Sequence, residues 1–224
     1  FLGMHWVNPP HLIPLVEIIR NDHTLEEVSD AVFQIALAID KKPVIVKKDV
    51  PGFLLNRIQL AVAREALSLV EQGVTSGEDI DSVLKYGLGV RWACMGPLET
   101  MDFGGLDIFY HIAEYLVPDL CDSHEIPPLL RSHYENGEYG VKTGSGFFSY
   151  PADQVSARLK ARDEKLGKLI RDQKSLVHIA LGFLAQLRAG LQVGAENIAR
   201  GNVRDFVRFS NLLCQRSFAR ARRS

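Results

Sequence analysis

The apolar positions of this chain fall into two rhythms. Up to about residue 50 they come in short runs of the kind that sheets bury. Phe1–Val7 reads as a strand, and residues 11–19 (His-Leu-Ile-Pro-Leu-Val-Glu-Ile-Ile) as an extended, largely buried stretch. Pro43-Val-Ile-Val46 is a β-branched run typical of a buried strand. Between them, Leu25, Val28, Val32, Ile35 and Ile39 recur at 3-4-3-4 spacing, which predicts one face of an amphipathic helix. Thr24, with Glu27 three residues on, offers that helix a capping box, and Lys42-Pro43 is expected to stop it. Strand, helix and strand in this order predict a parallel α/β unit.

From Pro51 onward the rhythm becomes helical. Leu54, Ile58, Val62, Ala66 and Leu69 form one ridge, which Gly73 closes as a C-cap. Ser76 with Asp79 predicts a capped shorter helix ending near Gly87. Gly96-Pro97 opens another helix, and Pro127-Pro128 one more. Lys142-Thr-Gly-Ser-Gly146 reads as a turn into Phe147-Phe148-Ser-Tyr150, and residues 154–173 as a charged helix.

Composition narrows the class. The 224 residues are 46% hydrophobic and 24% charged, which excludes a disordered chain and fits one large or two small globular domains. A formal net charge of -1 gives no electrostatic case for nucleic acid as a partner. No run of 18 apolar residues appears, which argues against an integral membrane segment. Cys94, Cys121 and Cys214 form no metal or redox spacing and read as reduced thiols, and the histidines show no HxxxH or HExxH spacing, so no metal site is expected. The near-neutral total conceals a division. Residues 175–224 carry eight arginines, no lysine and two acids, against 18 basic and 25 acidic residues in 1–174. That change marks 175–224 as a separate Arg-rich tail of unknown role. The chain starts at Phe1 rather than Met and inside a predicted strand, which leads us to expect a piece of a longer protein.

Three residues stand out as candidate chemistry. His5, near a strand end and followed by Asn8-Pro9-Pro10, is placed to act as a general base near neutral pH. Such a base needs a partner to fix its tautomer, and the Pro-rich turn can fold Glu17 back to meet it. The same spacing also suits a histidine that caps a turn and a glutamate on the surface. Asn56 lies at the start of the ridge helix, at the boundary between the two rhythms, where its amide can hold a substrate or merely cap the helix. Gly144-Ser-Gly146 lacks the spacing and the strand-to-helix context of a phosphate loop and reads as a tight turn.

These segments resemble the L-3-hydroxyacyl-CoA dehydrogenase family. Gly3-Met-His-Trp-Val-Asn-Pro-Pro10, running on to Leu15-Val-Glu17, resembles its active-site segment. Lys48-Asp-Val-Pro-Gly-Phe-Leu-Leu-Asn-Arg57 resembles its entry into the C-terminal domain. Gly96-Pro-Leu-Glu-Thr-Met-Asp102, Gly105-Leu-Asp107 and Lys142-Thr-Gly-Ser-Gly-Phe-Phe148 resemble its later signatures.

The resemblance implies the α/β tail of a Rossmann-type NAD-binding domain, then a mainly α-helical dimerisation domain of the 6-phosphogluconate dehydrogenase C-terminal type. The divisions are 1–48, 49–150, a charged helical extension at 151–174, and the tail at 175–224. It further implies His5 as the base, Glu17 as its orienting partner and Asn56 as a substrate-binding residue, with NAD as cofactor and acyl-CoA as substrate. The implied chemistry is oxidation of L-3-hydroxyacyl-CoA to 3-ketoacyl-CoA in fatty-acid β-oxidation or butanoate metabolism, in a bacterial cytoplasm or mitochondrial matrix. The family's glycine-rich cofactor loop and catalytic serine would lie upstream of Phe1, so residues 1–224 are expected to be inactive alone.

The lambda-crystallin-like gulonate dehydrogenases share the patterns seen at Asn8–Glu17 and Gly87–Met101, and the carnitine dehydrogenases are also similar. For such substrates Arg91-Trp92 is a candidate contact to an acidic group. A non-enzymatic dimerisation or structural module, built on the Leu54–Leu69 ridge with Leu106, Ile108 and Phe109, is the remaining alternative.

Overall fold

Strands β1 (Gly3–Trp6), β2 (Leu15–Ile19) and β3 (Lys42–Val46) form one sheet in that order in the computed structural model, which describes residues 1–173. β1 runs antiparallel to β2, and β2 runs parallel to β3. The return from β2 to β3 is made by α1 (Glu26–Ala38), as the parallel α/β unit requires. β2 is hydrogen-bonded on both edges, and Val16, Glu17, Ile18 and Ile19 are all buried. With Ala36 and Val46 the apolar members of that strand make the core of this unit.

The extended stretch begins only at Leu15, because the Pro9 carbonyl accepts the N–H groups of Leu12 and Ile13 and curls the chain before it. The Asn8–Pro9 peptide bond is cis. Thr24 does not cap α1. Its hydroxyl donates to the Phe1 carbonyl at 2.6 Å and accepts from the Asn21 N–H, so the position before the helix falls to Leu25, which has no side-chain acceptor. Glu26 and Glu27 still favour the start electrostatically, lying at the positive end of the helix dipole.

The predicted apolar face of α1 is mostly outside. Leu25, Val28, Ile35 and Ile39 are exposed, while Ser29 and Ala36 are buried. Small side chains let a helix approach a sheet closely, and the Ser29 hydroxyl is satisfied by the Glu26 carbonyl at 2.8 Å. The helix ends before Lys42-Pro43, which already belong to β3. Asp40 takes a left-handed φ of 61°, with its own N–H on Leu37 and the Lys41 N–H on Ala36, a Schellman closure.

From residue 55 to residue 173 the described chain is mainly helical, with isolated bridges joining Ser145 to Gly140 and to Ser149. α2 (Leu55–Glu71) carries the predicted ridge and ends where Gly73 takes φ 70°. α3 (Gly77–Val83) is capped by Ser76, whose hydroxyl accepts the Asp79 N–H at 3.1 Å, as expected. It does not end near Gly87. A wide π turn (Leu84–Leu88) carries it on into α4 (Gly89–Trp92). Glycine permits this, since a Cβ at residue 89 would lie 2.7 Å from the Leu84 carbonyl oxygen.

α5 (Pro97–Gly104) and α7 (Pro128–Glu135) start at the predicted Gly96-Pro97 and Pro127-Pro128 signals, α6 (Leu106–Leu116) starts after Gly105 where no helix start was expected, and residues 152–173 are helical. Acids on α2 tie the later segments down: Glu65 accepts the Cys121 N–H and Glu71 the Leu129 N–H, both at 2.8 Å. No residue of α2 through α7 is buried. No helix among the described residues is long and apolar enough to cross a membrane. The Arg-rich tail lies outside the described residues.

Candidate active site

His5 and Glu17 are directly opposite one another in the β1–β2 ladder. Side chains opposite each other on neighbouring strands lie on the same face of the sheet, and here they meet: His5 Nδ1 is 2.6 Å from Glu17 Oε2. A carboxylate accepts only, so Nδ1 carries the proton and Nε2 is left as the basic atom. Glu17 is 0% exposed, while the His5 side chain keeps 27% of its surface. The carboxylate is sealed and the imidazole is reachable.

Glu17 does more than hold the imidazole. Its second oxygen, Oε1, accepts the backbone N–H of Leu54 at 2.8 Å and of Leu55 at 3.1 Å. α2 has no capping side chain of its own at Leu54, so a carboxylate 37 residues upstream closes its N-terminus. The turn that makes this possible is left-handed twice over, with Gly52 at φ 78° and Phe53 at φ 49°. Phe53 accepts this uncommon conformation for a residue with a side chain, and its ring lies 5.3 Å from the His5 ring. Burial by itself pushes the Glu17 carboxyl up; the His5 hydrogen bond and the Leu55 and Leu54 N–H groups outweigh it and hold the group below the ordinary glutamate value.

Asn56 sits in the first turn of α2, immediately after the residues that bind Glu17. It is exposed and lines a groove with Pro51, Arg57 and Arg64. The sequence reading therefore named two residues that touch and a third on the adjoining turn. It missed Phe53 and the N–H pair of Leu54 and Leu55. The signal available was Pro51-Gly52, a turn dipeptide placed just before a helix that lacks a local cap.

A second histidine–carboxylate pair was also missed. His133 Nδ1 lies 2.5 Å from Glu138 Oε2, with the Phe147 ring edge-on to the imidazole at 4.7 Å. It braces the end of α7 against the Lys142–Phe148 segment. Arg91 is exposed on α4. Among the described residues no group of three or more His, Cys, Asp or Glu is placed to hold a metal ion.

The β2–α1 connection lacks the features that hold a dinucleotide. Residues 20–25 contain no glycine, and α1 opens with Glu26 and Glu27, which repel a pyrophosphate. This connection does not form a pyrophosphate cradle. What the described residues bring together is a histidine–carboxylate pair with one imidazole nitrogen left over.

Comparison with known proteins agrees with this anatomy. Residues 1–50 match the NAD binding domain of 3-hydroxyacyl-CoA dehydrogenase, and residues 52–150 match its C-terminal domain. The 5-formyl-3-hydroxy-2-methylpyridine 4-carboxylate 5-dehydrogenase of Mesorhizobium japonicum is 38% identical over 165 residues, 74% of this chain and 53% of its own length. A crystal structure of an enzyme of that name, described as an NAD+-dependent dismutase, superposes with a TM-score of 0.75 at 37% identity, covering 77% of this chain and 56% of that one.

The human lambda-crystallin homolog is 46% identical over 172 residues, covering 75% of this chain and 52% of that protein. A probable 3-hydroxybutyryl-CoA dehydrogenase of Bacillus subtilis is 42% identical over 150 residues, covering 66% and 51%. The chain spans about half the length of the curated relatives it matches. An α/β unit whose histidine-paired glutamate clamps the first helix of a mainly helical domain, matched by the family's two models over 1–50 and 52–150, places this chain in the 3-hydroxyacyl-CoA dehydrogenase family.

Proposed function

We propose that this chain contributes the base, its orienting partner and the helical domain of an enzyme that oxidises L-3-hydroxyacyl-CoA to 3-ketoacyl-CoA with NAD. The observation that carries the reading is the 2.6 Å contact between His5 Nδ1 and a fully buried Glu17, which leaves Nε2 as a reachable base. NAD is the hydride acceptor in this class of reaction. His5 Nε2 takes the hydroxyl proton, and the Glu17 carboxylate balances the imidazolium that results. Asn56, on the adjoining turn, holds the substrate oxygen beside His5. The domain division at residue 48 or 49, the helical extension and the tail are part of this proposal.

The helical domain forms a homodimer in this reading. Leu106 and Ile108 on α6 and Ile58 on α2 are more than half exposed, an apolar surface that a second copy is suited to cover. The place of action is a bacterial cytoplasm or a mitochondrial matrix.

The test is NADH oxidation by the complete protein with acetoacetyl-CoA, beside His5→Gln. Turnover in the wild type that disappears in a dimeric variant supports the reading. Equal turnover in both removes it, and a variant that falls to monomers makes His5 structural, as in a non-enzymatic module. A second reading, a free hydroxy acid such as gulonate or carnitine, is favoured by the two arginines in the groove beside Asn56.

A further inference from the structure

The groove along the start of α2 has a volume of about 430 Å3 and is lined by Pro51, Asn56, Arg57, Leu60, Ala61 and Arg64. It starts on the turn whose next residues clamp Glu17 and face His5. Asn56, Leu60 and Arg64 recur at helical spacing of four, so they share one face, with Arg57 and Ala61 alongside. Its walls thus combine an apolar strip, one amide and two guanidinium groups, with no carboxylate among the lining residues.

Both arginines are underused. Arg57 gives one N–H to the Pro51 carbonyl at 3.2 Å, and Arg64 gives one to the Ser123 carbonyl at 3.3 Å. Neither forms an ion pair among the described residues. The Arg64 Nε–H is buried and has no hydrogen-bond partner among them. A buried cationic donor without an acceptor is unfavourable.

We propose that this groove is an anion subsite, in which Arg64 and Arg57 hold an acidic group of the substrate while its hydroxyl carbon is presented to His5. The assignment rests on the reading of His5 and Glu17 as the base pair. Its test is a binding measurement, so that loss of anion affinity and loss of turnover are told apart. The chemistry required is a planar or tetrahedral oxyanion that accepts a fork of N–H donors. Two sources carry it, the carboxylate of a free hydroxy or keto acid and a phosphate of coenzyme A.

The experiment is isothermal titration of the complete protein with acetoacetate, methyl acetoacetate and coenzyme A, in wild type, Arg64→Leu and Arg64→Lys. In Arg64→Leu we expect acetoacetate to bind about tenfold more weakly, the loss of one charge-assisted contact, while the neutral ester is unaffected. That pattern assigns the subsite to a carboxylate. A comparable loss for coenzyme A alone assigns it to a phosphate.

Unchanged affinity for both anions overturns the proposal. So does an equal loss for the ester, which would make Arg64 a packing residue. Where the leucine variant does not fold, Arg64→Lys decides: weaker acetoacetate or coenzyme A binding with an unchanged ester supports the fork, and unaltered affinities overturn it. Turnover of acetoacetyl-CoA with anion affinities untouched by Arg64 leaves the dehydrogenase reading standing and removes only the subsite.

Discussion

The sheet unit and the helical half of this chain solve the same problem to different degrees. Around β2 the chain closes on itself: Val16 and Ile18 are at 0% exposure, and even a carboxylate is enclosed because three donors satisfy it. From α2 to α7 nothing is buried, and Phe103 and Leu98 each keep 76% of their surface. Hydrophobic stabilisation follows the apolar area removed from water. The sheet unit therefore contains its own core, whereas the helical half presents apolar faces whose burial must come from further surface. Glu17 joins the two regimes, one oxygen on His5 in the sheet and the other on the first helix.

The largest effect falls on chemistry: His5→Gln should lower turnover of the complete enzyme by about 10²–10⁴-fold, the usual worth of a positioned base, measured as NADH oxidation. Next comes the closed core. Ile18→Ala should destabilise by about 2–5 kcal/mol in a denaturant titration, because the cavity opens in a strand enclosed on both faces. Ile58→Ala, on a helix with its side chain 57% exposed, should cost well under half of that within one copy. If Ile58→Ala proves as costly as Ile18→Ala at every protein concentration, the two halves do not differ as described. A cost that shrinks on dilution would sharpen the contrast by locating the missing burial in a dimer.

Glu17→Gln comes third, with a sign fixed by its depressed pKa. A carboxylate whose folded pKa lies below its unfolded value adds stability that is fully present above about pH 4.3. That contribution is lost as the pH falls through the folded pKa. The variant should be less stable than wild type near neutrality by about 1.5–3 kcal/mol, the scale for hydrogen bonds to a charged group. The gap should narrow in acid, and thermal melts from neutrality into acid read it. A gap independent of pH would mean that the charge of Glu17 does not link sheet and helix. The smallest effect is local. Ser76→Ala removes the α3 cap and should cost about 1 kcal/mol of helix stability, with no change at His5.

Signals that act over one turn were readable residue by residue. Ser76, Gly73, Gly96-Pro97 and Pro127-Pro128 each mark a helix end because the backbone requirement lies within a few residues of the one that meets it. The same locality misled at α1. Thr24 has the right spacing for a capping box, yet its hydroxyl is engaged by Phe1, which the sheet brings to it from 23 residues away. The apolar stripe of α1 was likewise real in sequence, while the stripe that touches the sheet is the small pair Ser29 and Ala36. Periodicity reports which residues share a face and says nothing of how close the facing surface comes.

The sequence by itself determined the element types, the change from sheet to helix near residue 50, and the three polar residues worth watching. Each depends on spacing along the chain. Only the tertiary structure decided that His5 stands opposite Glu17 in a two-strand register, and that the free oxygen of Glu17 is the cap α2 lacks. It alone set two arginines in a groove with Asn56. Those facts depend on distances between residues far apart in sequence, set by strand pairing and by a left-handed turn at Gly52 and Phe53. No local pattern encodes a distance of that kind, because it is the sum of every backbone angle in between.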